Sequence, residues 1–270
     1  MPYETVILEK KGKIAVITLN RPEARNALNP AIERDLAAAL QEVDENGEIE
    51  VLILTGAGTA FCAGVDLKHI GKISLEAGRE AIPLGADADR PNNIARIASF
   101  RCPTIAAVNG PAITGGFELA LACDMIIAAE NAFFGDTHAR VGIIPGGALS
   151  QILPRLVGIK RAMEISLGCD FVSATEAAEM GFINRAVPAD RLLGAAEELA
   201  NKIIGNHRET VVKYRQLIKE GYEGDLRTGI RLERLENAVW VTRVKPEDVE
   251  GRRQGILQRG RKQAEDAQAR

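Results

Sequence analysis

Apolar and polar positions change their rhythm several times along this chain, and each rhythm predicts an element. Residues 5–9 and 13–20 read as the two strands of a hairpin turning around Gly12. Asn29 then suits a helix N-cap. Pro30 follows at the first helical position, where its missing N–H is harmless. Ile32, Leu36, Leu40 and Val43 recur at helical spacing until Asn46-Gly47 ends the run. Val51-Leu52-Ile53-Leu54-Thr55 is continuously apolar, as a strand buried on both faces should be.

The alternation returns further on, with a strand over 104–108, a short helix over 116–123 and a strand over 125–129. Strands followed by helices predict an α/β architecture. Between about 71 and 90 the periodicity is poor, and a long functional or mobile loop is expected there. From about Ala189 the pattern is helical throughout, by way of Leu199, Val211, Leu217, Leu232 and Leu235. The pattern describes a layered α/β body followed by a helical tail.

Composition narrows the class. With 270 residues, 46% hydrophobic and 26% charged, the chain can bury a large core, which excludes disorder and a disulfide scaffold. The most apolar stretch, 119–129, is broken by Asp124 and is too short to cross a bilayer. The opening residues lack the basic and apolar segments of a signal peptide. Cys62, Cys102, Cys123 and Cys169 are widely spaced, with no CxxC pair and no His cluster, so reduced core residues are expected and no metal site. A bacterial-type cytoplasm is the simplest home for such a chain.

The net charge of −3 argues against general nucleic-acid binding. Arg252, Arg253, Arg259, Arg261 and Lys262 read as a solvated helix face.

Two glycine-rich turns follow buried strands: Gly56-Ala-Gly-Thr-Ala-Phe-Cys-Ala-Gly-Val-Asp-Leu-Lys68 and Asn109-Gly-Pro-Ala-Ile-Thr-Gly-Gly-Phe-Glu118. Glycine lets main chain approach a ligand, and a helix starting near Gly116 would aim free N–H groups at it. Neither turn is a GxxxxGK[ST] loop or a GxGxxG opening a helix, so a nucleotide-phosphate loop is not indicated. On the residues alone, tight packing explains the turns as well as a binding site does.

Taken as an ordered set, the motifs resemble the crotonase (enoyl-CoA hydratase/isomerase) superfamily. They are Asn20-Arg-Pro-Glu-Ala-Arg-Asn-Ala-Leu28, Phe61-Cys-Ala-Gly-Val-Asp-Leu-Lys68, Ala106-Ala-Val-Asn-Gly110, Gly115-Gly-Phe-Glu-Leu-Ala120, Cys123-Asp124 and Gly142-Ile-Ile-Pro-Gly146. Ser173-Ala-Thr-Glu-Ala-Ala and Gly181-Phe-Ile-Asn extend the likeness.

The resemblance implies a right-handed ββα spiral over 1–195. It also implies a helical region over 196–270 that covers the site and helps to build a homotrimer or a dimer of trimers. The implied substrate is an acyl-coenzyme A thioester, with no cofactor besides the coenzyme A that the substrate carries. Bond making beside a thioester pushes negative charge onto its oxygen. By resemblance the main-chain N–H groups of Val65 and Gly115 receive that charge, and one such donor is worth roughly 3–4 kcal/mol.

Glu118 matches the first of two glutamates in the hydratases, and among Leu119, Ala120 and Leu121 a carboxylate needs a task or a partner. The second glutamate is missing. Four residues before Gly142, where the hydratases place it, stands His138. His138 then either replaces the acid as a proton carrier, holds Glu118 or a water in place, or is a packed polar residue. His69 and His207 have no comparable setting.

By the same likeness, coenzyme A lies against Ala24, Arg25 and the main chain of Ala63, Asp66, Leu67 and Lys68. Arg25 and Lys68 are then the candidates to meet its phosphates. The implied activity is a lyase adding water to a 2-enoyl-CoA. Double-bond isomerisation, thioester or C–C hydrolysis, decarboxylation and non-catalytic acyl-CoA binding are the alternatives. Acyl-chain selectivity is expected to depend on the 71–90 segment and the final helices.

Overall fold

The structure, a computed structural model, describes residues 3–66, 92–244 and 246–268. The 71–90 segment, together with Leu67, Lys68 and His69, lies outside the described residues. The chain divides into two compact units, Met1–Val212 and Lys213–Arg270.

The first unit starts with the expected hairpin. Strands β1 (Val6–Lys11) and β2 (Ile14–Leu19) pair antiparallel from Val6↔Leu19 to Lys11↔Ile14. Helix α1 (Pro30–Glu45) begins where the N-cap predicts: the Asn29 side chain accepts from the Ile32 N–H at 3.0 Å. Its apolar stripe of Ile32, Leu36, Ala39, Leu40 and Val43 is buried. Strand β3 (Val51–Gly56) is parallel to β2 on one side and to β4 (Thr104–Val108) on the other, so both of its faces are covered. That is why its sequence is a run and not an alternation.

Between them lies α2 (Asn93–Ala98). After β4 come β5 (Ala112–Ile113), α3 (Gly115–Ala122), β6 (Met125–Ala129), β7 (Phe133–Gly135), α4 (His138–Val141), α5 (Leu149–Val157) and α6 (Ile159–Gly168). The unit continues with β8 (Phe171–Ser173), α7 (Ala174–Met180), β9 (Arg185–Val187) and α8 (Leu192–Ile204). The main sheet has the order β1-β2-β3-β4-β6-β9, and β5-β7-β8 form a second, smaller sheet.

The smaller sheet positions the site, and the apolar pattern did not reveal it. Strands of two or three residues are too short to display a period of two. Above it, Phe117 of α3 packs against Phe134 and Phe182 with ring centroids 5.3 and 5.4 Å away. Such aromatic pairs add about 0.5–1.5 kcal/mol each beyond simple burial, and here they tie α3 to β7. Helix α8 lies on β3, β4 and β6 through Ala195, Ala196 and Ala200, small residues that let it sit close to the sheet. All four cysteines are buried thiols.

Helix α9 (Arg208–Glu223) runs into the second unit, which also holds α10 (Leu226–Val241) and α11 (Pro246–Gln268). Asp225 caps α10 by accepting from the Thr228 N–H at 3.0 Å. Within this unit Lys213 and Glu236 pair at 3.2 Å, and a Cβ on Gly229 would lie 3.2 Å from the Cα of Gly221. Among the described residues no helix is long and apolar enough to cross a membrane.

Candidate active site

The two glycine-rich turns of the sequence lie side by side. The Cys62 N–H donates to Pro111 O at 3.1 Å, and the Ile113 N–H donates to Cys62 O at 2.9 Å. Further along, Leu28 N–H donates to Gly64 O (2.7 Å) and Asp66 N–H to Leu28 O (2.8 Å), a short parallel ladder around the Leu28↔Val65 bridge. Gly64 has φ +86, a backbone that favours glycine, and a Cβ there would lie 2.8 Å from both Ile113 O and Thr114 Oγ1.

Across the turn, a Cβ on Gly115 would lie 3.7 Å from Gly64 Cα and 3.8 Å from Val65 Cγ2. Gly115 opens α3, so its N–H has no acceptor inside the helix. Among the described residues neither Val65 nor Gly115 donates to a main-chain carbonyl. The residue that sets up Gly115 is held in an unusual conformation: Thr114 has φ 51 and ψ −113, which is costly for a β-branched side chain.

Glu118 lies in the first turn of α3 and is 4% exposed. Its Oε1 accepts from the Gly147 N–H at 2.7 Å and, weakly, from the Leu149 N–H at 3.5 Å. Oε2 has no hydrogen bond among the described residues and is available to a water. Burial pushes the Glu118 carboxyl above its ordinary range and nearby Asp136 adds to the push. The Gly147 and Leu149 N–H groups and the charge of His138 oppose it without cancelling it. A carboxyl raised in this way is suited to taking and giving protons.

Gly147 owes its place to that carboxyl. A Cβ there would fall 2.8 Å from Glu118 Cδ and 2.4 Å from Ile94 Cδ1. Sequence reasoning missed Gly147, although it directly follows the Gly142–Gly146 turn.

His138, 5% exposed at the start of α4, is near enough for its charge to act on Glu118. Its Nδ1 lies 2.6 Å from Asp136 Oδ1, and its own N–H donates to the same oxygen at 3.1 Å. Burial pushes Asp136 up. The hydrogen bonds from the His138 ring, the Ser166 hydroxyl and the His138 N–H, with the charge of His138, outweigh that and hold the carboxyl below its usual range. Of the three readings of His138, the structure therefore adds a partner that the sequence reading did not name. The signal was present only as an Asp two residues before the His.

The segments assigned to coenzyme A are stitched together as well. Ala63 N–H donates to Arg25 O at 3.0 Å, and buried Asn26 donates through Nδ2 to Ala57 O (2.9 Å) and Ala60 O (2.8 Å). Arg25 is exposed, next to half-buried Ala24. The Asp66 carboxylate faces Arg21, at 3.6 Å, and Arg21 also donates to Ala27 O at 2.6 Å. Arg21 and Asn26 thus hold this corner together. His207 bonds Thr210 Oγ1 through Nδ1 at 2.8 Å, on the surface. Among the described residues no group of three or more His, Cys, Asp or Glu is placed to hold a metal ion.

These features define an α/β protein in which a glycine turn and a helix start pack beside a buried carboxyl and an imidazole–carboxylate pair. A family model described as Enoyl-CoA hydratase/isomerase matches residues 9–254, and the chain belongs to that family, within the crotonase superfamily. It is 38% identical over 262 residues to probable enoyl-CoA hydratase 1, peroxisomal, of Arabidopsis thaliana, covering 96% of each chain. It is also 38% identical over 234 residues to the short-chain-enoyl-CoA hydratase of Clostridium acetobutylicum, covering 86% of this chain and 88% of that one. The crystal structure of enoyl-CoA hydratase from Bacillus anthracis superimposes with a TM-score of 0.84 at 34% identity, over 94% of this chain and 97% of that one. The fold is the crotonase fold.

Proposed function

We propose that this protein hydrates 2-enoyl-coenzyme A thioesters, with Val65 and Gly115 forming the oxyanion hole and Glu118 and His138 moving the protons. The observation that carries the reading is the buried Glu118, anchored through Oε1 on Gly147 with no hydrogen bond on Oε2 among the described residues, beside the packed Gly64–Val65 and Thr114–Gly115 turns. The family membership and the named hydratase relatives support the same activity.

The thioester oxygen accepts the N–H groups of Val65 and Gly115, and the positive end of α3 adds to the field there. Glu118 Oε2 takes a proton from a water as its oxygen attacks C3. The electron pair of the C2–C3 double bond moves through C1 to the thioester oxygen, giving an enolate. His138 then delivers a proton to C2 as the enolate collapses, which completes the 3-hydroxyacyl thioester, and the proton held by Glu118 passes back to His138 to reset both groups. Both groups are buried, and fixed donors act most strongly where bulk water is kept out.

Coenzyme A lies along Ala24, Arg25, Ala63, Asp66, Leu67 and Lys68, with the Arg25 and Lys68 cations at its phosphates. We further propose a homotrimer or a dimer of trimers, with no cofactor besides the substrate's coenzyme A, in the cytoplasm. The four cysteine thiols suit a reducing compartment.

Crotonyl-CoA tests the reading. Its conjugated-thioester absorbance should fall with time in the presence of the protein and stay constant with Glu118→Gln. Equal rates for the two proteins would remove Glu118 from the mechanism, and inertness of both would remove the hydratase reading.

A further inference from the structure

The pair formed by Asp136 and His138 is unusually constrained for two residues on a short turn. Asp136 is 2% exposed and His138 5%, and one carboxylate oxygen, Oδ1, meets both the ring Nδ1 (2.6 Å) and the main-chain N–H (3.1 Å) of His138. A carboxylate oxygen and an unprotonated ring nitrogen cannot sit 2.6 Å apart without a proton between them. Asp136 is held below its usual carboxylate range, so it is ionised and the proton belongs to Nδ1. Ser166, from α6, gives Asp136 a further hydrogen bond.

We propose that Asp136 is a positioning residue for the hydration step: it keeps a proton on Nδ1 of His138 at all times, so that Nε2 alone gains and loses the proton exchanged with the substrate. The inference rests on the hydratase reading for what Nε2 does, but not for where the ring proton resides.

The charged groups that face the imidazole are Asp136 on its own turn and Glu118 from α3. Helix α6, packed against α4, contributes Ser166, whereas its ionisable residues Lys160, Arg161 and Glu164 are exposed to solvent. The ring is therefore bonded to one carboxyl group and within electrostatic reach of another, and the two have different tasks. Asp136 fixes one nitrogen, and the other is left for chemistry near Glu118. A carboxylate that sets the tautomer of a catalytic imidazole is a known device in acyl-transfer triads, where exchanging it for an amide keeps the geometry and lowers kcat by about 10⁴.

Nitrogen-15 spectroscopy of the full-length protein, with the ring signals assigned through His138→Gln, tests the proton position directly. In the neutral ring Nδ1 should carry the proton and Nε2 should be bare. A neutral ring protonated on Nε2 overturns the proposal whatever the activity. In Asp136→Asn the neutral ring should lose the fixed Nδ1 proton, and kcat on crotonyl-CoA should fall about 100-fold or more with KM changed less than about threefold. An Asn variant with wild-type spectra and wild-type kcat also overturns it. If that variant does not fold, the wild-type spectrum decides alone. Wild-type spectra as expected in a protein inert toward enoyl-CoA would leave the Asp136 assignment standing and defeat only the hydratase reading.

Discussion

The hydroxyls of Thr114 and Thr137 stand 3.3 Å apart and join the turn that presents Gly115 to the turn that presents His138. A second link runs beside it, from the Thr114 N–H to Gly135 O at 2.8 Å. Thr114 occupies a strained backbone conformation, so its neighbours have to hold it there. Thr137→Val keeps the shape and removes the hydroxyl. The lost contact is worth about 1 kcal/mol, which corresponds to about a fivefold fall in kcat if it is all transmitted to the transition state. Steady-state kinetics on crotonyl-CoA check this, with KM expected to stay constant.

Gly147→Ala should separate stability from activity. The added Cβ meets Glu118 Cδ at 2.8 Å and Ile94 Cδ1 at 2.4 Å, both at the far ends of side chains that can turn aside. The fold then survives while the carboxyl is pushed off its anchor, and turnover falls about 100-fold or more, as when a group fixed for the transition state is misplaced. Thermal melting beside kinetics reads both quantities. A variant with unchanged kcat would mean that the carboxyl position is unimportant.

The two buried carboxyls should leave opposite marks on stability against pH. Glu118 is raised in the fold, so its contribution is fully present below the unfolded carboxyl range, around the ordinary 4.5, and is lost as pH rises through the higher folded value. Relative to wild type, Glu118→Gln should therefore gain stability as pH rises above the ordinary carboxyl value of 4.5. Asp136 is lowered in the fold, so its contribution is present above the ordinary 3.8 and is lost as pH falls through the lower folded value. Asp136→Asn should lose most stability near neutrality and progressively less toward acid. Thermal melts of the three proteins across pH measure both trends.

Arg25 should act on binding and not on chemistry. It is exposed and its carbonyl is tied to Ala63, and its proposed role is to set its cation at a phosphate of coenzyme A. A hydrogen bond to a charged group contributes about 1.5–3 kcal/mol, so Arg25→Ala should raise KM about tenfold or more with kcat unchanged. A thioester of N-acetylcysteamine, which lacks the nucleotide, should show no difference between the two proteins.

Legibility in the sequence followed the physics of each element. Strands β3 and β4 could be read because burial on both faces writes a continuous apolar run, and α1 because Asn29 and Pro30 mark its start. Strands β5, β7 and β8 have two or three residues each, too few for any period, so the second sheet left no mark in the sequence. Glu118 stood out as a carboxylate inside an apolar helix. Asp136 did not, because its task depends on a turn that bends it back onto the ring two residues ahead. Gly147 was silent for a different reason: what matters there is a main-chain N–H and the absence of a side chain, and neither leaves a pattern.

Running the reaction in oxygen-18 water and weighing the product tests the central claim most directly. A 2-enoyl-CoA should gain one water, with the heavy oxygen bonded to C3 and the thioester intact, and Glu118→Gln should give no labelled product. Free coenzyme A with a labelled carboxylic acid, or labelled hydration at the wild-type rate by Glu118→Gln, would contradict it.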